Sequence, residues 1–148
     1  MQPGTDPRHN SRIIALQRLF QKDFHSRHTL EEINSAYSQK ALNEINEIGP
    51  FDKELTNTLV KNLEEYLPQI DSLIEKLAPE WPIHKIVPID LLILRLALLE
   101  GFFLKINPPK VVINEAIELA KEFSNEQTRM FVSGVLGNLY SNQAKYLS

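Results

Sequence analysis

The sequence has no cysteine and only five glycines among its 148 residues. Without cysteine the chain can form neither disulfides nor the thiolate sites of zinc fingers and iron–sulfur clusters. The glycines form neither a GxGxxG nor a GxxxxGK motif, which excludes those phosphate-binding loops. The most apolar stretch, Ile86–Ile106, contains four charged residues and is therefore too polar for a membrane span. We expect a cytoplasmic protein without metal, cofactor or membrane attachment.

Charge is distributed unevenly along the chain. The formal net charge is −3, yet the first 28 residues carry +3 and the remaining 120 carry −6. A polyanionic partner is therefore expected to meet the N-terminal end first. A solvated helix face is the simpler explanation for the same pattern, and charge alone favours it.

Apolar residues recur at three- and four-residue steps almost everywhere, and no strand pattern occurs. The periodicity predicts an all-α fold with about seven helices joined by short connections. The first predicted helix covers 11–25, and the second is opened by the capping box Thr29/Glu32 and ends at Gly49-Pro50. The third covers 51–66, and the fourth follows Pro68 and contains Ile70 and Leu77. The last three cover 89–103, 108–123 and 124–140, and the final one is opened by the capping box Ser124/Gln127. Segment 79–88 is predicted to be a connector with a short helical turn and the only Trp, Trp81.

Arg95 is an anomaly within the apolar central helix, because an unpaired buried charge costs several kcal/mol. It must pair or reach the surface. Glu115, Glu118 and Glu122 share one helix face, but no histidine follows any of them by three residues, so a solvated acidic stripe is favoured over a di-iron site.

Three segments carry a family resemblance. ILRLALLE (93–100) followed by PPKVVINEAIELAKEFSNEQTRMFVSGVL (108–136) resembles the C-terminal half of the NusB family, and RIIALQRLF (12–20) resembles its first helix. The resemblance implies two packed helical bundles. Combined with the helix pattern, it predicts a single domain with a flexible segment 1–10, an N-terminal bundle 11–66 and a C-terminal bundle 68–148.

The resemblance also implies a function without catalysis. Members of the family act in transcription antitermination and ribosomal RNA synthesis in bacteria. They bind a single-stranded RNA element, boxA, together with NusE, a small-subunit ribosomal protein, and work with the transcription elongation complex.

Site residues follow from the resemblance by position. The implied RNA-binding residues are Arg8, His9, Arg12, Lys110 and Phe131, and the implied NusE-binding residues are Phe20 and Asp90. Physical chemistry agrees in kind, since unpaired bases need an aromatic face for stacking and cations for their phosphates.

Two alternatives remain. The family's arginine run is diluted here to RHNSR (8–12). This dilution favours a helical protein-interaction module, as a monomer or a homodimer, without RNA binding of its own. A NusB-like module of an RNA methyltransferase would need a catalytic domain after residue 148.

Overall fold

The computed structural model describes the backbone of residues 6–27 and 49–147, and the side chains of 6–22 and 49–147. All regular structure in these ranges is helical, which confirms the all-α prediction. The described part of the chain forms six α-helices, namely α1 (Pro7–Arg27), α2 (Lys53–Leu77), α3 (Pro88–Leu98), α4 (Pro109–Phe123), α5 (Glu126–Ser141) and α6 (Gln143–Leu147). The helix predicted after the Thr29/Glu32 capping box lies outside the described residues.

The chain divides into two compact units, Met1–Val60 and Lys61–Ser148. The boundary between them falls within α2. The predicted bundles over 11–66 and 68–148, as parts of a single domain, stay a prediction.

Helix α1 begins at Pro7 and not at the predicted Ser11. The Asp6 carboxylate accepts hydrogen bonds from the backbone N–H groups of Arg8 and His9, at 3.0 and 3.5 Å. An aspartate cap followed by a proline in the first turn is a favourable helix start. Residues 7–10 of the predicted flexible segment are therefore helical, and the flexibility of that segment stays a prediction.

Hydrogen bonds join the first turns of α1 to the start of α2 within the Met1–Val60 unit. Asn10 Nδ2 donates to the Pro50 carbonyl at 2.8 Å, and Ser11 Oγ accepts from the Asp52 N–H at 2.7 Å. Thr56 Oγ1 donates to the Ser11 carbonyl at 2.9 Å. The next turn of α1 buries Ile13, Ile14, Ala15 and Leu16. These contacts fix the N-terminal part of α1 in one position.

Helix α2 runs without a break through Pro68, although the sequence analysis predicts two helices separated there. That prediction is wrong, and the apolar stripe explains why. Buried positions continue at helical spacing on both sides of the proline, at Leu59, Leu63, Ile70 and Ile74. Burial of this stripe offsets the cost of about 3 kcal/mol that an interior proline carries.

Helix α3 is the centre of the Lys61–Ser148 unit, and it packs against α4 and α5. Eight of its eleven residues are buried, which confirms the predicted central helix. Arg95, the charged residue in this apolar helix, is paired as the sequence predicts. Its guanidinium donates to both carboxylate oxygens of Asp71 on α2, at 2.9 and 2.8 Å. Within the described ranges, every helix is too short or too polar to cross a lipid bilayer.

Helix α3 continues as a π-helical turn, Leu99–Phe103, that lies close to α4. A Cβ placed on Gly101 would come within 3.2 Å of the Cβ of Val112, so the absence of a side chain permits this approach. Just before α4, Asn107 donates from Nδ2 to the Glu100 carboxylate at 2.8 Å. Pro108 occupies the N-cap position, and Pro109 begins the helix.

Helix α5 is capped one residue later than the capping box Ser124/Gln127 predicts. The side-chain oxygen of Asn125 accepts from the Thr128 N–H at 2.9 Å. Ser124 is not free to cap, because its hydroxyl lies 2.7 Å from that of Thr128 and donates to Asp90 at 3.4 Å.

Candidate nucleic-acid interface

A cleft of about 240 Å³ opens on the surface of the Lys61–Ser148 unit. The connector before α3, the first turn of α3 and the first turns of α5 form its walls. The lining residues used below are Trp81, Lys85, Asp90, Gln127, Thr128 and Phe131. Two of them, Asp90 and Phe131, are site residues predicted from the sequence.

Two aromatic rings stand at this cleft. Trp81 is 50% exposed, and its ring meets that of Phe131 edge-on, with 6.2 Å between centroids and 69° between planes. A backbone turn positions this residue, since the backbone N–H of Trp81 donates to the Ala78 carbonyl at 3.0 Å. An edge-to-face pair contributes about 0.5–1.5 kcal/mol beyond the buried area. The pair therefore orders both rings at the surface.

The carboxylate of Asp90 forms the polar floor of the cleft. Its two oxygens accept hydrogen bonds from Thr128 Oγ1 at 3.0 Å and from Ser124 Oγ at 3.4 Å. The residue is only 6% exposed, and burial raises the pKa of its carboxyl although both hydroxyl hydrogen bonds act in the opposite direction. Asp90 thus links the first turn of α3 to the start of α5.

The cationic side of the cleft is Lys85, which is exposed at the end of the 3₁₀ turn Ile83–Lys85. This turn confirms the predicted turn of helix in the connector. The Gln127 amide is exposed on the opposite wall, in the first turn of α5. The sequence analysis did not select Trp81, Lys85 or Gln127 as site residues. The single tryptophan, placed in a proline-bounded connector, was the available signal.

The predicted basic segment in α1 is only partly accessible. Arg8 is exposed, whereas His9 and Arg12 are 8% and 4% exposed. Both buried residues make interactions within the protein. Of the three, the Arg8 guanidinium alone lies on the surface of the Met1–Val60 unit.

The remaining predicted residues, Lys110 and Phe20, are not among those that line the cleft. Lys110 is exposed in the first turn of α4, and Phe20 is partly exposed on α1. The structure thus brings Phe131 and Asp90 together within one unit. The RNA-binding and NusE-binding roles of all seven residues stay predictions.

Comparison with known proteins identifies the family. The model of the NusB family matches residues 9–141. The transcription antitermination protein NusB of Clostridium acetobutylicum is 36% identical over 135 residues, which cover 91% of this chain and 96% of the relative.

The chain belongs to the NusB family.

Solved structures agree with this assignment. T. maritima NusB is 31% identical and superposes with a TM-score of 0.70, covering 93% of this chain and 92% of that one. A structure of the antitermination factors NusB and NusE in complex with double-stranded RNA is 26% identical, with a TM-score of 0.68 and coverage of 90% and 95%. The NusB-like fold predicted from the sequence is confirmed, and the predicted role in transcription antitermination is confirmed at the level of the family.

Proposed function

We propose that this NusB-family protein binds boxA-type RNA together with NusE and acts with the transcription elongation complex in ribosomal RNA synthesis. The observation that carries the proposal is the surface cleft in which Phe131 stands beside Trp81 and Lys85. Exposed aromatic rings next to a cation are what unpaired nucleotides require of a protein. The role proposed is binding in the cytoplasm, without catalysis.

The accessible predicted residues have direct roles in this proposal. Arg8 and Lys110 neutralise phosphates, and Phe131 offers its ring to a base. His9 and Arg12 are buried, and we assign them to holding α1 in the position that presents Arg8. On single strands, each neutralised phosphate adds about −0.7 to the slope of log affinity against log salt concentration. Two such contacts alone make a weak binder.

NusE then supplies what this chain lacks. The chain carries −3 overall, so RNA is repelled from most of its surface. A second protein adds cations and contact area. Phe20, which is partly exposed, is available to a protein partner, whereas Asp90 is enclosed by its hydrogen bonds. The solved relative that contains NusB, NusE and RNA supports the same combination of partners.

The test is a titration of labelled boxA-like RNA, followed by fluorescence anisotropy at two salt concentrations with and without NusE. The RNA is supplied as a single strand and as a duplex of the same sequence, because the solved relative holds double-stranded RNA. Tight binding of the single strand only with NusE present supports the proposal. Absence of RNA binding in every arm contradicts it.

One observation favours a second candidate, the helical protein-interaction module. Of the predicted N-terminal RNA-binding residues, Arg8 alone is exposed. If NusE binds this chain equally well without RNA, and RNA adds no stability to the complex, the interaction module is the better description.

A further inference from the structure

The cleft beside Phe131 has the chemistry of a site for one nucleotide. We infer that it holds a single unpaired nucleobase of the bound RNA strand against Trp81, with Lys85 at the neighbouring phosphate and Gln127 at the edge of the base. This inference rests on the proposed RNA-binding function and adds three residues that the family resemblance does not supply. The steps below use only the geometry of the Lys61–Ser148 unit.

The first step is the exposure of Trp81. Half of this side chain is in water, although it is the largest apolar side chain of the sequence. Its contact with Phe131 is edge-to-face, so each ring keeps at least one face that the other ring does not cover. An ordered aromatic face open to solvent is a stacking platform for a base, because every base has a π-face of its own.

The second step is the size of the cleft. Its volume of about 240 Å³ is below the range of about 300–1,000 Å³ in which drug-sized ligands are usually enclosed. A single planar base, comparable in size with the indole ring, suits this volume. A hydrogen-bonded pair of bases is too large for it.

The third step is charge. Lys85 is exposed at the rim, and no ion pair engages it among residues 6–22 and 49–147. The one carboxylate in the lining, Asp90, is buried at the floor and occupied by the hydroxyls of Ser124 and Thr128. The rim is therefore cationic, and the floor does not present a free anion to a phosphate. This arrangement favours an anionic ligand such as a nucleotide over a basic or purely apolar peptide segment.

The fourth step is the polar edge. The Gln127 side-chain amide carries a donor and an acceptor and lies on the wall formed by α5. A base held flat against Trp81 presents its donor and acceptor groups along its edge. Stacking supplies affinity for any base, and the amide supplies a preference among bases.

The test uses the full chain with NusE and single-stranded boxA-like RNA. Trp81 is the only tryptophan of the chain, so its fluorescence reports directly on the cleft. Stacking of a base on the indole should quench this emission during titration. Trp81→Leu should weaken RNA binding about 5–150-fold, the range measured for removal of one base–aromatic stack. Trp81→Phe should recover most of the affinity.

Matched controls separate the cleft from general surface effects. Tyr140 is 45% exposed and does not line the cleft, so Tyr140→Leu should leave RNA affinity unchanged. Lys85→Ala should reduce the slope of log affinity against log salt by about 0.7, whereas the exposed lysine of α2, Lys61, should give no change on Lys61→Ala. Thermal melts of each variant confirm that it is folded.

A scan with one abasic nucleotide at a time identifies the base in the cleft. At the position whose base occupies the cleft, removal of the base should weaken binding to the wild type and abolish the difference between wild type and Trp81→Leu. If the wild type binds RNA and Trp81→Leu binds it equally well, the cleft inference fails while the proposed function stands. If Trp81→Leu loses NusE and not RNA, the cleft holds a side chain of the protein partner and the inference is overturned. If the wild type with NusE binds no RNA at all, both proposals fail.

Discussion

Replacement of Asp90 tests whether this carboxylate is a structural link between α3 and α5. Asp90→Ala removes two hydrogen bonds to a charged acceptor, each of a kind that contributes about 1.5–3 kcal/mol. The bond from Ser124 is long at 3.4 Å and therefore contributes at the low end. The hydroxyls of Ser124 and Thr128 remain 2.7 Å apart and satisfy each other in part.

The loss is reduced by a second effect. The alanine variant no longer buries a carboxylate, and burial is what raises the pKa of Asp90 in the wild type. We therefore expect a net loss of about 2 kcal/mol in the free energy of unfolding. With a urea slope of about 2 kcal/mol per M, the unfolding midpoint should fall by about 1 M.

Asp90→Asn is the matched control. The asparagine oxygen can still accept from Thr128 Oγ1, and the new amide N–H can donate to Ser124 Oγ, which then donates to Thr128. Every polar group stays bonded, so the loss should be below about 1 kcal/mol. Unfolding is followed by far-UV circular dichroism in urea.

The two variants also differ in their dependence on pH. Because the carboxyl pKa is raised by folding above its ordinary value of 3.8, the contribution of Asp90 to stability is largest below that value and is lost as the pH rises through the folded-state pKa. Asp90→Asn should lack this component, so its stability relative to the wild type should improve as the pH rises across this window. Equal stability of Asp90→Ala and wild type, or an Asn variant as unstable as the Ala variant, would refute the reasoning.

Three further substitutions follow from the structure. Arg8→Ala should weaken RNA binding in the NusE complex and reduce the slope of log affinity against log salt concentration by about 0.7. The melting temperature should not change, because the Arg8 side chain is exposed. An unchanged slope in the anisotropy titration would show that Arg8 does not contact the RNA. Gly101→Ala should destabilise the protein by about 1–3 kcal/mol, since the new methyl meets the Cβ of Val112 at 3.2 Å and both of its Cγ atoms at 3.4 Å. Val112→Ala in the same chain removes the two Cγ contacts and should recover part of this loss in urea unfolding. Asn125→Ala should cost about 1 kcal/mol by loss of the cap on α5, whereas Gln127→Ala should be neutral in the same measurement; equal losses would contradict the assignment of the cap.

Much of the fold was predictable because helical periodicity is a local property. The central helix α3 follows from its apolar stretch, and the need of Arg95 for a partner follows from its position among leucines and isoleucines. The errors occurred where tertiary packing outweighs local preference. Pro68 lies inside α2 because buried leucines and isoleucines continue on both sides of it. Helix α1 begins four residues earlier than predicted because Asp6 caps it. An aspartate followed by a proline is a helix-start signal in the sequence, and it would have predicted this boundary.

The candidate site was predictable only in part, because a cleft depends on which elements meet. Phe131 came from the resemblance, and the structure places it beside Trp81. No spacing along the chain predicts that contact. Residues 81 and 131 are 50 positions apart in the sequence, and the packing of α3 against α5 brings them together. Exposure of the N-terminal cations likewise depends on tertiary contacts, and these bury Arg12 while leaving Arg8 in water.

The polar junction at the beginning of α1 limits how this protein could be engineered toward stronger RNA binding. Adding arginines at positions 10 and 11 would increase positive charge, but Asn10 and Ser11 are completely buried and bond the backbone at Pro50 and Asp52. A long cationic side chain at either position would have to displace the start of α2. A designer who wants higher affinity should place new cations at solvent-facing positions such as those around Lys85, where extra charge requires no rebuilding of the interior.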